Sequence, residues 1–293
     1  MLDNRRAPVA RKQDGEGLTD EQSIGRQHSS AGFAFQRAIP DDNLGYPVLI
    51  TTSNLTGSGF YLHTDKGIFL VTAKHVIFNP SGKLWSNLIE VRSYTVDPAD
   101  LNPNILVLDL SLLKPKAHPS RDVAIVQVAT SAGQPTAGSQ SKVTWLPGVL
   151  PQAINNNGLV SVAQDTVSRF DQILVGNDVI VFGYPTSLEL KELDQLDPLR
   201  PLLRRGLVAG LNTQKRSVVL DCPVYPGNSG GPVIEIDPRG FEYHLQVIGV
   251  VSEFVPLHDR ARSFTMDSNS GYSIATPMDF VLDLINNYSS AEN

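Results

Sequence analysis

The chain has 293 residues, 41% of them hydrophobic and 18% charged, which describes an ordinary globular protein of one or two domains with room for a substantial core. Its formal net charge of −6 removes the basic footprint that a nucleic-acid binder needs, so no nucleic-acid partner is expected. Without a run of ~18 apolar residues no membrane span is predicted, and with Cys222 as the one cysteine neither an intrachain disulfide nor a cysteine-built zinc site can form.

Residues 1–45 are polar and rich in Gly, Ser, Gln, Asp and Arg, and are expected to form a flexible arm on which Phe33 and Phe35 could dock. The first twelve residues carry charge but no apolar stretch of the secretory type, so the expected compartment is the cytoplasm. From Pro47 the character changes. Short β-rich runs at 48–52, 59–63 and 68–72 are separated by Gly-, Ser- and Asn-rich turns, and further runs follow at 89–94, 105–110 and 123–128. The stretch 129–141, rich in Ser, Gly, Ala, Thr and Gln, suits a link between two halves. A second set of strands is predicted at 159–163, 178–182, 206–211, 217–220, 233–236, 245–251 and 272–276. Between them, 186–205 carries many charges and reads as a solvated loop or short helix. Helical spacing is convincing only at Met278, Phe280, Val281, Leu284 and Ile285, with Thr276 as N-cap and Pro277 as first helical residue. Many short strands and one terminal helix predict an all-β body of barrels or sandwiches.

One stretch carries the chemistry. In Asp221–Ile234 a Pro226-Gly227-Asn228 turn is followed by Ser229, Gly230 and Gly231, and then by a Val-Ile strand. A serine on such a turn is a candidate nucleophile, because neighbouring backbone N–H groups can point at an oxyanion. It needs a base, and the base needs an orienting group. Of six histidines, His28 lies in the arm, His118 in a loop, and His63 at a turn facing solvent. His75 is different: Phe69-Leu70-Val71-Thr72-Ala73 delivers it from a buried strand to a corner of small residues. Asp122 stands at the mouth of the apolar run Val123-Ala124-Ile125-Val126, where a carboxylate is poorly solvated unless paired, and Asp109 is the competing acid. Gly227-Asn228-Ser229-Gly230-Gly231 also satisfies the G-x-S-x-G elbow of α/β-hydrolases. That fold needs a helix directly after the serine and an alternating βα pattern, and neither is predicted here.

Thr72-Ala73-Lys74-His75, Asp122-Val123-Ala124-Ile125 and Gly227-Asn228-Ser229-Gly230-Gly231-Pro232 together resemble the three motifs of chymotrypsin-fold (trypsin-like) serine proteases, in that family's order. The match is most similar to the bacterial, disulfide-free HtrA/Deg-like branch. There Gly-Ser-Gly-Phe precedes the histidine strand, as Gly57-Ser58-Gly59-Phe60 does here, and a Gly-Tyr-Pro element opens a loop, as Gly183-Tyr184-Pro185 does here. The resemblance covers roughly residues 47–288. Lys74 departs from the customary small residue, and the section 80–120 is longer than in compact members.

The resemblance implies two six-stranded barrels, at 46–135 and 136–276, with a helix and tail at 277–293 and no following PDZ-like domain. It implies a serine endopeptidase with His75, Asp122 and Ser229 as the triad, an oxyanion hole at Gly227, Asn228 and Ser229, and substrate contacts at Pro223, Val224, Ser252 and Phe254. A protein or peptide substrate and a possible regulatory partner follow from it, with no cofactor and no metal. Small or medium aliphatic P1 residues are expected, since Pro223 stands at the pocket floor and Phe254 narrows one wall. Asn228 occupies a position that resembles the aspartate which pairs with a newly cut N-terminus in secreted trypsins, so activation by N-terminal cleavage is not expected. The alternative is the same double barrel acting as a silent peptide-binding scaffold.

Overall fold

The computed structural model describes residues 39, 41–53, 55–94, 100–131, 143–155, 158–185, 194–237, 244–260 and 265–288. Residues 1–38 and 40 of the expected arm and 132–141 of the expected link lie outside the described residues, but the arm's last residues are part of the body: Asp41–Leu44 form a 3-10 turn, and Ile39 and Leu44 pack against the core.

The fold is all-β with one terminal helix, as predicted. The first sheet opens with a meander of β1 (Pro47–Thr51), β2 (Thr56–Thr64) and β3 (Gly67–Thr72), and one helical turn, α1 (Lys74–Ile77), follows. Next come β4 (Leu88–Ser93), β5 (Asn104–Asp109), the short α2 (Leu110–Leu113), and a hairpin of β6 (Lys116–Ala117) with β7 (Ala124–Ser131). β8 (Val143–Trp145) pairs with β7, β9 (Val149–Ala153) with β5, and β10 (Val162–Ala163) runs parallel to β2. The order β6-β7-β3-β2-β1-β4-β5-β9 curls without closing among the described residues, where a closed six-stranded barrel was expected. The strands β8, β9 and β10 also belong to this sheet, although they lie beyond residue 135, where the sequence reading divided the chain.

The second sheet does close. Its strands are β11 (Asp178–Gly183), β12 (Leu202–Asn212), β13 (Ser217–Asp221), β14 (Pro232–Asp237), β15 (His244–Arg260) and β16 (Thr265–Pro277), in the cyclic order β11-β12-β13-β16-β15-β14. β15 and β16 run on as a long hairpin, with pairs from Pro256↔Asn269 to Arg260↔Thr265. Of the charged segment expected as a loop or short helix at 186–205, residues 186–193 lie outside the described residues, and its end is β12, where Arg205 pairs with Asp178 at 2.6 Å.

Side-chain alternation explains how two sheets share one interior, since successive residues of a strand point to opposite faces. Tyr61, Ile68 and Leu70 point into the first sheet, while Phe60, Leu62, Phe69 and Val71 point the other way. In the second sheet Val179 and Val181 fill the barrel, while Ile180 and Phe182 face out of it. The outward sets meet in one layer with Val123, Ile125, Ile234 and Ile236. This is why both faces of β2, β3 and β11 read as apolar.

The helix α3 (Met278–Asn286) adds Met278, Val281 and Ile285 to that layer. Its N-cap is Pro277 rather than Thr276, because the Thr276 hydroxyl is bonded to Ser252 Oγ at 2.6 Å. At its other end Lys66 Nζ donates to the carbonyls of Ile285, Asn286 and Tyr288 at 2.9, 2.7 and 3.2 Å. A cation on these orphan carbonyls complements the helix dipole. Asp279 in the first turn accepts from the Phe170 N–H at 2.7 Å and from Arg216 at 2.9 Å. Both ends of the helix are therefore fastened by side chains.

Candidate active site

β3 ends at Thr72, and the chain turns through Ala73 into α1, whose second residue is His75. Val76 and Ile77 are buried and anchor this turn, which leaves His75 exposed beside them. A Cβ at Gly57 would come within 2.7 Å of Val76, so glycine lets β2 approach α1 this closely. Asp122 lies in the turn between β6 and β7, closed by the His118 N–H on the Val123 carbonyl at 2.9 Å. Its carboxylate takes two bonds from one residue: the His75 N–H donates to Oδ1 at 3.0 Å, and His75 Nδ1 meets Oδ2 at 2.7 Å. The competing acid, Asp109, caps α2 instead. It accepts from the Ser111 N–H at 3.0 Å and from the Ser111 hydroxyl at 2.5 Å, and the hydroxyl bond above all holds its carboxyl below the usual range.

Ser229 follows the turn Tyr225-Pro226-Gly227-Asn228, in which the Asn228 N–H donates to the Tyr225 carbonyl at 2.9 Å. Proline at the second position and φ of 96° at Gly227 in the third make this a type II turn. The Asn228 side chain reinforces it by accepting from the Tyr225 N–H at 3.1 Å. With the Asn228 N–H committed to the turn, the N–H groups of Gly227 and Ser229 meet no acceptor among the described residues. The Ser229 carbonyl accepts from the Ser58 N–H of β2 at 2.8 Å, and Gly230 packs so tightly that a Cβ there would fall 2.9 Å from the Ala73 nitrogen. The serine turn thus docks against Thr72 at the end of β3 and Ala73 after it, three and two residues before His75. No hydrogen bond joins the Ser229 hydroxyl to His75 among the described residues.

The remaining expected contacts are divided. Val224 is buried with its carbonyl bonded to Asn269 Nδ2 at 2.6 Å, Pro223 is half-buried, and Phe254 is exposed on β15. Ser252 is the extra residue where the β15–β16 register slips between Val251 and Glu253. Its hydroxyl meets the Val250 carbonyl at 3.3 Å as well as Thr276 Oγ1, so the side chain is buried toward the start of α3. The structure also corrects one reading of a single residue and bears out the strand expected after the serine. His63 is buried rather than solvent-facing, and burial lowers its pKa. The helix expected of an α/β-hydrolase after the serine is absent, since Pro232–Asp237 is β14.

Sequence reasoning missed Trp85. Its indole N–H donates to the His75 carbonyl at 2.9 Å, and its own N–H donates to the Ile77 carbonyl at 3.0 Å. An exposed tryptophan ten residues beyond a candidate base was the signal available.

Cys222 is buried below the serine turn, and burial pushes its thiol up to about 11. A raised pKa leaves the thiol neutral and unreactive at pH 8. Iodoacetamide should therefore leave the native protein unlabelled at that pH and label one site after unfolding in urea. Stoichiometric labelling of the native protein would contradict this.

A search of curated proteins returned no match. Among solved structures, the HtrA-type protease AlgW with a tripeptide aligns at a TM-score of 0.48 and 18% identity, covering 83% of this chain and 60% of that one. A variant of AlgW, also with a tripeptide, aligns at 0.48 and 17%, covering 85% and 62%. The chain therefore spans under two thirds of the length of either. A family model described as the trypsin-like peptidase domain matches residues 57–240, well over half of the chain. The chain belongs to the trypsin-like peptidase family.

Proposed function

We propose that the protein is a serine endopeptidase in which Ser229 is the nucleophile, His75 the general base and Asp122 the group that orients the base. The observation that carries this is the double bond from Asp122 to His75, one to the ring and one to the main chain. It fixes the imidazole with Nδ1 toward the carboxylate, so Nε2 is the nitrogen left to take the serine proton. Attack forms the Ser229 Oγ–carbon bond and places a negative charge on the former carbonyl oxygen. The two N–H groups of Gly227 and Ser229 are the donors for that charge. His75 then returns its proton to the leaving amine, and water repeats the sequence on the acyl-enzyme.

Asn228 supports control without N-terminal cleavage. It is buried, and its amide holds the serine turn closed without a charge that a cationic N-terminus would have to balance. Pro223 before the serine turn is apolar and half-buried, and the exposed Phe254 ring stands on β15, with no charged side chain at either position to hold an Arg or Lys, which supports preference for small or medium aliphatic P1 residues such as Ala, Val or Leu.

The competing reading is a peptide-binding double sheet without turnover. The observation on its side is the missing Ser229–His75 hydrogen bond, but such bonds are often long before substrate binds. A fluorophosphonate probe decides between them. We expect labelling of the wild type, none of Ser229→Ala, and peptide-library cleavage after Val, Leu or Ala. An unlabelled, correctly folded wild type would favour the scaffold, and fast cleavage after Arg alone would overturn the pocket assignment.

A further inference from the structure

The motif Gly57-Ser58-Gly59-Phe60 contains a buried hydroxyl that the mechanism above does not use. Ser58 sits on β2 and is 1% exposed. Its Oγ donates to the Gly227 carbonyl at 2.6 Å and accepts from the Tyr184 N–H at 2.9 Å. The same residue's N–H donates to the Ser229 carbonyl, and its carbonyl accepts from Thr72 Oγ1 at 2.6 Å. One residue of the first sheet therefore grips the serine turn twice, by side chain at 227 and by main chain at 229. Through Tyr184 it also binds the chain just after β11.

We propose that the Ser58 hydroxyl is a positioning group for the oxyanion donors, an inference that rests on the serine-peptidase reading. The Gly227–Asn228 peptide is held at both ends. Ser58 holds its carbonyl, and the Tyr225 carbonyl holds its N–H. A peptide fixed at both ends cannot rock, and Gly227 is the residue in the turn with the greatest freedom to do so. The grip also runs between sheets: Ser58 belongs to the sheet that carries His75 and Asp122, and Gly227 to the chain of the closed barrel. It therefore registers the oxyanion donors against the base, which the turn's own hydrogen bonds cannot do. Serine suits the role because a hydroxyl is donor and acceptor at once, and here both capacities are filled.

A group that only supports the fold would affect substrate and transition state alike, whereas a group that positions oxyanion donors acts where charge develops. Ser58→Ala should lower kcat about 10- to 100-fold, less than the roughly 10²–10³ lost when a donor is removed outright. KM should stay within about twofold, since uniform binding is untouched. Affinity for a peptide boronate with Val or Leu at P1, which carries a tetrahedral oxyanion mimic, should fall by the same factor as kcat/KM. Affinity for the uncleaved peptide, measured in the Ser229→Ala background, should not change. Ser58→Cys fills the same space with a weak donor and should lose kcat to a similar degree, which covers the case of Ser58→Ala failing to fold. Wild-type kcat and boronate affinity in either folded variant would overturn the proposal, as would equal losses of boronate and uncleaved-peptide affinity. A folded wild type that neither turns over peptide nor takes the fluorophosphonate overturns the parent reading and this one with it.

Discussion

Ser229→Ala is expected to lower kcat on a fluorogenic peptide roughly a millionfold, to the level set by binding and oxyanion donors alone. Asp122→Asn should cost about 10⁴-fold, and the site geometry supplies the reason. The Asp122 carboxylate accepts from the His75 N–H through Oδ1 and faces His75 Nδ1 through Oδ2. An amide has one acceptor oxygen. If that oxygen keeps the main-chain bond, the NH₂ group confronts Nδ1 and selects the tautomer with its proton on Nε2, which cannot accept the proton of Ser229. If it keeps the ring instead, the His75 N–H loses its partner and the turn carrying the base loosens. Either outcome removes the base while leaving the folded core intact. Thermal melting within a few degrees of wild type should accompany both losses. Activity of either variant within tenfold of wild type would remove Ser229 or Asp122 from its assigned role.

The second large effect is on stability. Gly230→Ala places a methyl group where an ideal Cβ lies 2.0 Å from the Ser58 carbonyl oxygen and 2.3 Å from Thr72 Oγ1. The φ of 89° adds a handedness penalty of about 1–2 kcal/mol for a residue with a Cβ. Overpacking a buried site adds about 1–3 kcal/mol, and here the obstacle is backbone of β2, which cannot swing aside as a side chain would. The sum, about 2–5 kcal/mol, is a large part of the ~5–15 kcal/mol that holds a typical domain folded. Gly82→Ala separates the two causes. Gly82 has φ of 77°, with nothing within 4 Å of its ideal Cβ, so it should lose only the backbone share. We expect Tm to fall by at least twice as much for Gly230→Ala as for Gly82→Ala. Equal shifts would show that β2 yields.

What could be read from the chain depended on how local the cause was. The corner that delivers His75 was legible because an apolar strand ending in Thr72-Ala73 is a property of consecutive residues. The pairing of His75 with Asp122 was legible because an acid at the mouth of an apolar strand needs a partner. The role of Ser58 was not, since its hydroxyl acts on residues 126 and 169 positions away, and a serine between glycines reads as turn. β9 escaped notice because Pro151 interrupts its pattern, which an edge strand paired, among the described residues, only to β5 can accept. The outer half of the β15–β16 hairpin was missed because Glu253, Pro256, Asp259 and Arg260 carry no alternation. Thr276 was misread as a cap because sequence does not show that its hydroxyl is already taken by Ser252.

The layer shared by the two sheets has a consequence for biosynthesis. When β7 is complete, Phe60, Leu62, Phe69, Val71 and Ile125 are all in place, but Ile234, Ile236, Met278 and Ile285, which cover them, are still unmade. About 150 residues must still be added, which takes on the order of 10 s at ordinary rates of translation. During that interval the nascent chain presents an aromatic and aliphatic sheet face to its surroundings. His75 and Asp122 are already made by then, but the turn that carries Ser229 is added only about two thirds of the way through the same interval, so that face is presented before the proposed triad can be complete.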